Sequence, residues 1–532
     1  YPRIPLYQIL DDTAKNFPAL DAVIFQGQRI KYGELAGWAR DLASGLHQIG
    51  IKKGQRVAIM LPNCPQYIVA YYAILKLGGV VVNVNPMYVE RELEFQLNDA
   101  GAQAIVALRD LLPRLEAVKE KIFLQTIILT DLDEHVRAAG GKAPVQGPKP
   151  GIYEYAELLK KGKSQAPPLV SVDPDEVALL QYTGGTTGFS KGAMLTHYNL
   201  VSDLIQCVSW NVGAERGKER MLAVLPFFHV YGMTVTMNEA IYLAATIILL
   251  PRFQVDDCLE AINAYLPTRF PGVPTMYIGI INHPRVKEYN ISSIKVCSSG
   301  SAPLPVEALR KFEELTGGKI SEGYGLTEAS PVTHANPFSG KRKVGSIGLP
   351  RPDTDSKIVD LETGEKDLPP GEEGELCIRG PQVMKGYWNR PEETARSLRN
   401  GWLYTGDIAR MDEEGYFYIV DRKKDMIISG GFNVYPREVE EALYLHPKIL
   451  EAAVLGVPDP YRGETVKAFV VLKPGEKAAA EEIIEFCRQN LARFRVPTQV
   501  EFRKELPKSH VGKVLRKVLR EEEEKKNSNR PS

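Results

Sequence analysis

The chain has 532 residues, too many for one hydrophobic core, so two or three domains are expected. Hydrophobic residues make up 44% and charged residues 25%, an ordinary globular balance. Lys plus Arg equals Asp plus Glu at 66 each, so no basic excess argues for nucleic acid or for a purely electrostatic membrane attachment. Six scattered cysteines with no Cys-x-x-Cys pair fit reduced, buried thiols of a cytoplasmic protein better than a disulfide frame or a zinc site.

Strand-like and helix-like stretches alternate from the start. Residues 56–61 read as a strand, 67–77 as a helix, 80–84 as the next strand, 90–97 as a helix and 104–107 as a strand. A short apolar run, 177–180, precedes YTGGTTGFSKG at 182–192, and Thr196 can cap a helix through Leu200, Leu204 and Val208. The most apolar region, 221–250, has Glu239 as its only charge before residue 250. Pro226, His229, Gly232 and Asn238 interrupt it, so it reads as buried interior rather than a membrane span. The alternation returns at 246–250, 256–265, 293–298, 304–316 and 318–324. It predicts α/β layers with parallel sheets. After about residue 340, short strands and hairpins suggest an antiparallel β subdomain. From Asp425 a compact α+β stretch follows, with helices near 437–445 and 480–492 and strands near 450–457, 465–473 and 498–503. The expected domains are 1–423, a small mobile α+β domain at 424–520, and a charged disordered tail at 521–532.

The stretch at 182–192 has almost nothing to bury. Gly184, Gly185 and Gly188 let the backbone approach a ligand closely, and successive free N–H groups form an anion-binding nest. Thr183, Thr186, Thr187 and Ser190 add hydroxyls, and Lys191 adds a full positive charge. This is equipment for phosphate. It is not a Walker A loop, because Ser190-Lys191-Gly192 stands where Gly-Lys-Ser/Thr is needed.

Four further stretches accompany the loop: SEGYGLTEAS at 321–330, WLYTGD at 402–407, DRKKDMI at 421–427 and LPKSHVGKVLR at 506–516. In this order and spacing they resemble the adenylate-forming superfamily of acyl-CoA synthetases, peptide-synthetase adenylation domains and luciferases. LPFFHVYGMT and EGYGLTEASPVTHAN are most similar to bacterial long-chain fatty-acid–CoA ligases. The resemblance covers nearly the whole chain. It implies a two-step reaction using ATP, Mg²⁺ and coenzyme A: a carboxylate and ATP give acyl-AMP and pyrophosphate, and the CoA thiol then expels AMP.

The resemblance also implies roles. The loop 183–191 would hold the β- and γ-phosphates, with Ser190 replacing the family's usual proline. Glu328 would hold Mg²⁺, and Thr327 would contact the α-phosphate. Glu322, Gly323, Tyr324 and Gly325, with Gly300, Ser301 and Ala302, would line the adenine pocket. Asp407 and Arg422 would bind the ribose. Lys513 would reach the carboxylate and α-phosphate, and Lys424 would be the hinge on which the small domain turns. Ser429, Gly430, Gly431 and Arg437 would face CoA. His229, Val230, Tyr231, Gly232, Met233 and Val273 would form the acyl pocket, with His229 as its gate.

No Asp or Glu occurs from Met221 to Asn238, which argues against an amino-acid substrate whose ammonium would need a partner. A medium- to long-chain fatty acid is the leading expectation. An aryl or phenylpropanoid acid, or acyl delivery to a carrier protein instead of CoA, stays open. A cytoplasmic location, transient peripheral membrane contact and a homodimer complete the expectations.

Overall fold

The computed structural model describes residues 1–135, 150–183, 190–429, 432–459, 462–509 and 514–528. The fold is mixed α/β, with a large N-terminal domain and a small C-terminal one. By contacts the described residues form two compact units: those up to 355 with 379–401 in the first, and those of 356–378 and from 402 onward in the second.

The first unit is built on two sheets. One has the strand order Gly386–Tyr387, Gly192–Thr196, Val177–Tyr182, Val80–Asn83, Arg56–Met60, Ala104–Leu108, Thr126–Thr130, Ile152–Glu154. Its last six strands run parallel, as the β–α alternation predicts, and the two at the other edge are antiparallel. The other sheet carries a parallel run of Lys319–Gly325, Val296–Ser299, Arg269–Gly272, Arg220–Ala223, Thr246–Leu249 and Asp21–Phe25, with antiparallel strands at both ends.

The helix Pro65–Lys76 is apolar all round, and residues 65–75 are all buried. The hydroxyls of Tyr67 and Tyr72 find partners there. Tyr67 donates to Asn83 Oδ1 at 2.6 Å and approaches the Phe227 carbonyl at 2.7 Å, while Tyr72 reaches Asn238 Oδ1 at 2.9 Å. Helix His197–Trp210 starts as its sequence suggests: Thr196 Oγ1 accepts from the Asn199 N–H at 3.0 Å, and Asn199 Oδ1 accepts from the Thr196 N–H at 3.0 Å. The apolar region 221–250 is interior, and among the described residues no helix is long and apolar enough to cross a membrane. All six cysteines are free and buried.

The second unit contains an antiparallel sheet of Asp355–Val359, Gly374–Arg379, Trp402–Met411 and Phe417–Arg422. It also contains an α+β layer whose long hairpin, Ile449–Asp459 with Gly463–Leu472, packs Val454, Val466 and Val470 against Val439, Leu443 and Ile483 of its helices. The charged tail corrects the sequence expectation of disorder. Helix Arg516–Ser528 takes in residues 521–528 of it, and 529–532 lie outside the described residues. Leu519 is wholly buried, Glu523 Oε2 accepts from Lys467 Nζ at 2.7 Å, and Lys526 Nζ reaches Glu501 Oε2 at 2.8 Å.

Buried histidines make the first unit sensitive to acid, His197 among them. His197 Nδ1 accepts from the Leu6 N–H at 3.1 Å, so the ring is neutral with its proton on Nε2. Burial, with Lys53 acting the same way against Glu176, pushes its pKa from 6.5 down to about 4. The unfolded chain therefore takes up the proton first. Stability is full above pH 6.5 and falls as the pH drops towards 4, by about 3 kcal/mol at most from this residue. Denaturant unfolding between pH 7 and 4 should show this slope, and His197→Gln, which keeps an acceptor without titrating, should remove its share and leave that of His135 and His334, which burial also holds below the usual imidazole range.

Candidate active site

The glycine-rich loop is the tip of a β-hairpin. Strands Val177–Tyr182 and Gly192–Thr196 pair antiparallel, with Tyr182 opposite Gly192. At the base, the Thr183 N–H donates to the Lys191 carbonyl at 2.9 Å, and the Ser190 hydroxyl donates to the Thr183 carbonyl. Gly184, Gly185, Thr186, Thr187 and Gly188 lie outside the described residues. The neck is tight at Gly192, where a Cβ would stand 3.1 Å from the Tyr182 ring.

A two-residue strand, Gly386–Tyr387, pairs with the outer strand of this hairpin, setting Tyr387 opposite Ala193. Tyr387 then connects two of the expected site residues. Its hydroxyl donates to Glu328 Oε1 at 2.7 Å, and Lys191 Nζ lies 5.3 Å from its ring centroid. Lys191 also pairs with Glu393. Burial pushes the Lys191 pKa down; Glu328 opposes this, while Arg396 and Arg390 add to it. Burial and the Glu328 carboxylate together raise the Tyr387 hydroxyl, keeping it a proton donor. Glu328 sits in the short turn Thr327–Ala329, and its carbonyl accepts from the Met384 N–H at 2.8 Å. Tyr387 and Glu393 went unread in the sequence. Their segment, KGYWNRPEETA, has no local spacing that reports its pairing with residue 193.

The residues expected to line the adenine pocket lie where parallel strands end, a usual place for ligands in α/β sheets. Ser298 pairs with Ser321 and Ser299 with Glu322, which brings the 300–302 loop beside the 322–325 segment. Glu322 is used as a brace: Oε1 accepts from the Leu304 N–H at 3.2 Å and Oε2 from the Gly345 N–H at 3.4 Å. The Tyr324 ring meets that of His334 edge-on at 6.1 Å. Gly325 has no room for a side chain, since a Cβ would fall 2.0 Å from the Pro331 carbonyl oxygen. Ser301 and Ala302 are exposed.

The acyl residues are held by buried amides. Asn63 bonds both the Leu225 carbonyl at 2.9 Å and the Phe227 N–H at 2.8 Å, and Gln181 donates to the Phe228 carbonyl at 3.0 Å. His229 Nδ1 accepts from the Tyr231 N–H at 3.2 Å. The chain then enters a buried π-helical turn, Gly232–Asn238, and a Cβ on Gly232 would fall 2.3 Å from the Pro226 carbonyl oxygen. Tyr231 donates to the Ser298 carbonyl at 2.8 Å, and Gly300 lies against its ring. Val230, Met233 and Val273 are buried. The first unit thus brings the phosphate hairpin, Glu328, the adenine wall and the acyl residues onto one connected framework.

In the second unit, Asp407 and Arg422 are opposite each other on paired strands, and Arg422 Nε lies 3.3 Å from Asp407 Oδ1. Glu375, also unread in the sequence, fixes the turn before Asp407: Oε1 accepts from the Gly406 N–H at 3.0 Å, and Oε2 pairs with Lys423 at 3.1 Å. Lys424 is exposed in the turn that follows Arg422. Ser429 is buried. Arg437 is already engaged, donating to the Ile419 carbonyl at 2.6 Å and to Glu441 at 3.0 Å. Gly430, Gly431 and Lys513 lie outside the described residues.

Comparison with known proteins shows the family. The chain is 50% identical over 98% of its length to a long-chain-fatty-acid–CoA ligase of Bacillus subtilis (strain 168), covering 95% of that protein. Among solved structures, ATP-bound MatB from Rhodopseudomonas palustris matches with a TM-score of 0.86 at 32% identity, covering 98% of this chain and 99% of that one. The anthranilate CoA ligase AuaEII in complex with anthranoyl-AMP matches with a TM-score of 0.89 at 26% identity and 99% coverage of both chains. The model of the AMP-binding enzyme C-terminal domain matches residues 438–513. With the AMP-binding enzyme model matching residues 10–388 as well, the chain belongs to the AMP-binding enzyme family.

Proposed function

We propose that the protein is an ATP-dependent fatty-acid–CoA ligase. It would join a medium- to long-chain carboxylate to AMP with release of pyrophosphate, and then to coenzyme A with release of AMP. The observation that carries this reading is the phosphate hairpin whose Lys191 is set against Tyr387, itself bonded to Glu328. The full-length similarity to a fatty-acid–CoA ligase supports the acid class.

A fatty carboxylate is ionised at neutral pH, so the first step needs no general base. It needs alignment of the reactants and neutralised phosphate charge. Lys191 and the Thr183 hydroxyl would supply part of that, from a hairpin neck that the Ser190 hydroxyl helps to close. Glu328 offers a hard carboxylate, as Mg²⁺ requires. Among the described residues no three His, Cys, Asp or Glu side chains gather into a metal site. The donor set therefore fits an ion held by one protein carboxylate and the substrate's own phosphate oxygens, a common arrangement for Mg²⁺. Such an ion would neutralise phosphate charge. Asp407 can accept from both ribose hydroxyls, with Arg422 holding its rotamer. Lys513 would add charge at the α-phosphate, and the small domain would turn at Lys424 between the two half-reactions.

The direct test is AMP release with a panel of acids from acetate to C18, plus cinnamates, with and without CoA. CoA-dependent turnover peaking at C10–C18 is expected. A cinnamate peak would move the substrate to the aryl class, and pyrophosphate release without acyl-CoA would sink the ligase. Tyr387→Phe keeps the ring beside Lys191 and removes the bond to Glu328. It should lower the adenylation rate by about tenfold and raise the Mg²⁺ concentration needed for half-maximal rate. Lys424→Pro fixes φ in the proposed hinge. It should leave acid-dependent pyrophosphate exchange largely intact while cutting acyl-CoA formation at least tenfold; an equal loss in both would argue against the hinge.

A further inference from the structure

The helix Glu90–Ala100 carries an acid in its last turn. Asp99 is its penultimate residue, and the Asp99 side chain is 9% exposed. The C-terminal end of a helix is its negative end, and burial adds to the cost of a carboxylate. An acid in this place needs partners that offset both effects, and Asp99 has them on two sides. Oδ2 accepts from the Tyr182 hydroxyl at 2.7 Å, and Oδ1 accepts from Arg390 Nη2 at 2.6 Å. The Asp99 carbonyl accepts from Trp388 Nε1 at 3.1 Å. Burial and the Asp99 carboxylate raise the Tyr182 hydroxyl, which keeps it a donor.

Both sides lead to Lys191. Tyr182 ends the strand that enters the phosphate hairpin, and the next residue, Thr183, holds the Lys191 carbonyl through its N–H. Arg390 precedes the helix Pro391–Ser397, and its carbonyl accepts from Thr394 Oγ1 at 2.9 Å. That oxygen in turn accepts from the Tyr387 N–H at 2.9 Å. Glu393, which pairs with Lys191, lies on the same helix. One carboxylate thus joins the hairpin that presents Lys191 to the segment that carries Tyr387 and Glu393. An amide has one accepting oxygen and a carboxylate two, which suits a phenol hydroxyl on one side and a guanidinium on the other.

We infer that Asp99 is a positioning residue for the first half-reaction: its carboxylate holds the phosphate hairpin at the setting in which Lys191 meets the departing pyrophosphate. The inference rests on the ligase reading. Asp99 acts through Tyr182 and Arg390 rather than on a reacting atom. The β- and γ-phosphates leave in the first step, so the attack of CoA on acyl-AMP does not need this hold.

The test measures the two half-reactions separately on the full chain. Tyr182→Phe keeps the ring beside Gly192 and removes only the hydroxyl. It should cut acid-dependent pyrophosphate exchange about tenfold. Conversion of supplied acyl-AMP and CoA to acyl-CoA should stay within about twofold of the unaltered protein. Asp99→Ala should lower exchange at least as much, and adding Tyr182→Phe to it should cost little more, because the two act through one bond. If Asp99→Ala does not fold, Tyr182→Phe decides alone. Unchanged exchange in Tyr182→Phe would overturn the inference. So would an equal loss in both half-reactions, which would mark a general structural role, and so would losses that multiply in the double variant. In each of those cases the ligase reading stands. No acid-dependent exchange by the unaltered protein would overturn the ligase reading and this role with it.

Discussion

Gln181 is the point on which the first unit's functional elements converge. It is nearly buried on the strand leading into the phosphate hairpin. Its oxygen accepts from Asn83 Nδ2 at 2.8 Å, and its nitrogen donates to the Phe228 carbonyl at 3.0 Å. Asn83 Oδ1 in turn takes the Tyr67 hydroxyl, and Gln96 Nε2 donates to the Asn83 carbonyl at 2.7 Å. One chain of side-chain bonds therefore fixes the hairpin strand and the backbone before His229 together. In a water-poor interior such a network is strong when every member is satisfied and costly when one is lost. The strand that leads into the phosphate loop and the backbone before His229 cannot be displaced independently while it holds.

Much of this was legible in the sequence, and the reason is local. Alternating β and α periodicity gives parallel strands, and a glycine- and hydroxyl-rich run with a lysine marks a loop between regular elements. Glycines at 232 and 325 mark places where a backbone oxygen leaves no room for a Cβ. What stayed hidden is the set of contacts made by chain segments distant in sequence. Tyr387 reaches Glu328 only because a two-residue strand adds to the hairpin, and Glu375 reaches Gly406 only through the cross-strand pairing of the second unit's sheet. No local spacing encodes either pairing.

The tail teaches the same lesson from charge. Composition reads EEEEKK as solvated and unstructured. In the fold, Lys467 and Arg503 present cations that the helix answers with Glu523 and Glu522, the latter accepting from Arg503 at 2.6 Å. Glu501, which burial would raise, is instead held down to about 2 by Lys467 and Lys526. A charged run is disordered only when it has nothing to answer.

The strand Gly386–Tyr387 has an effect unrelated to catalysis. It covers the outer strand of the phosphate hairpin, which would otherwise present unpaired N–H and C=O groups along the rim of an eight-stranded sheet. Being only two residues long, it offers little template of its own for a second chain to continue. The segment that sets the tyrosine between lysine and glutamate thus also blunts the edge at which this sheet could begin to polymerise.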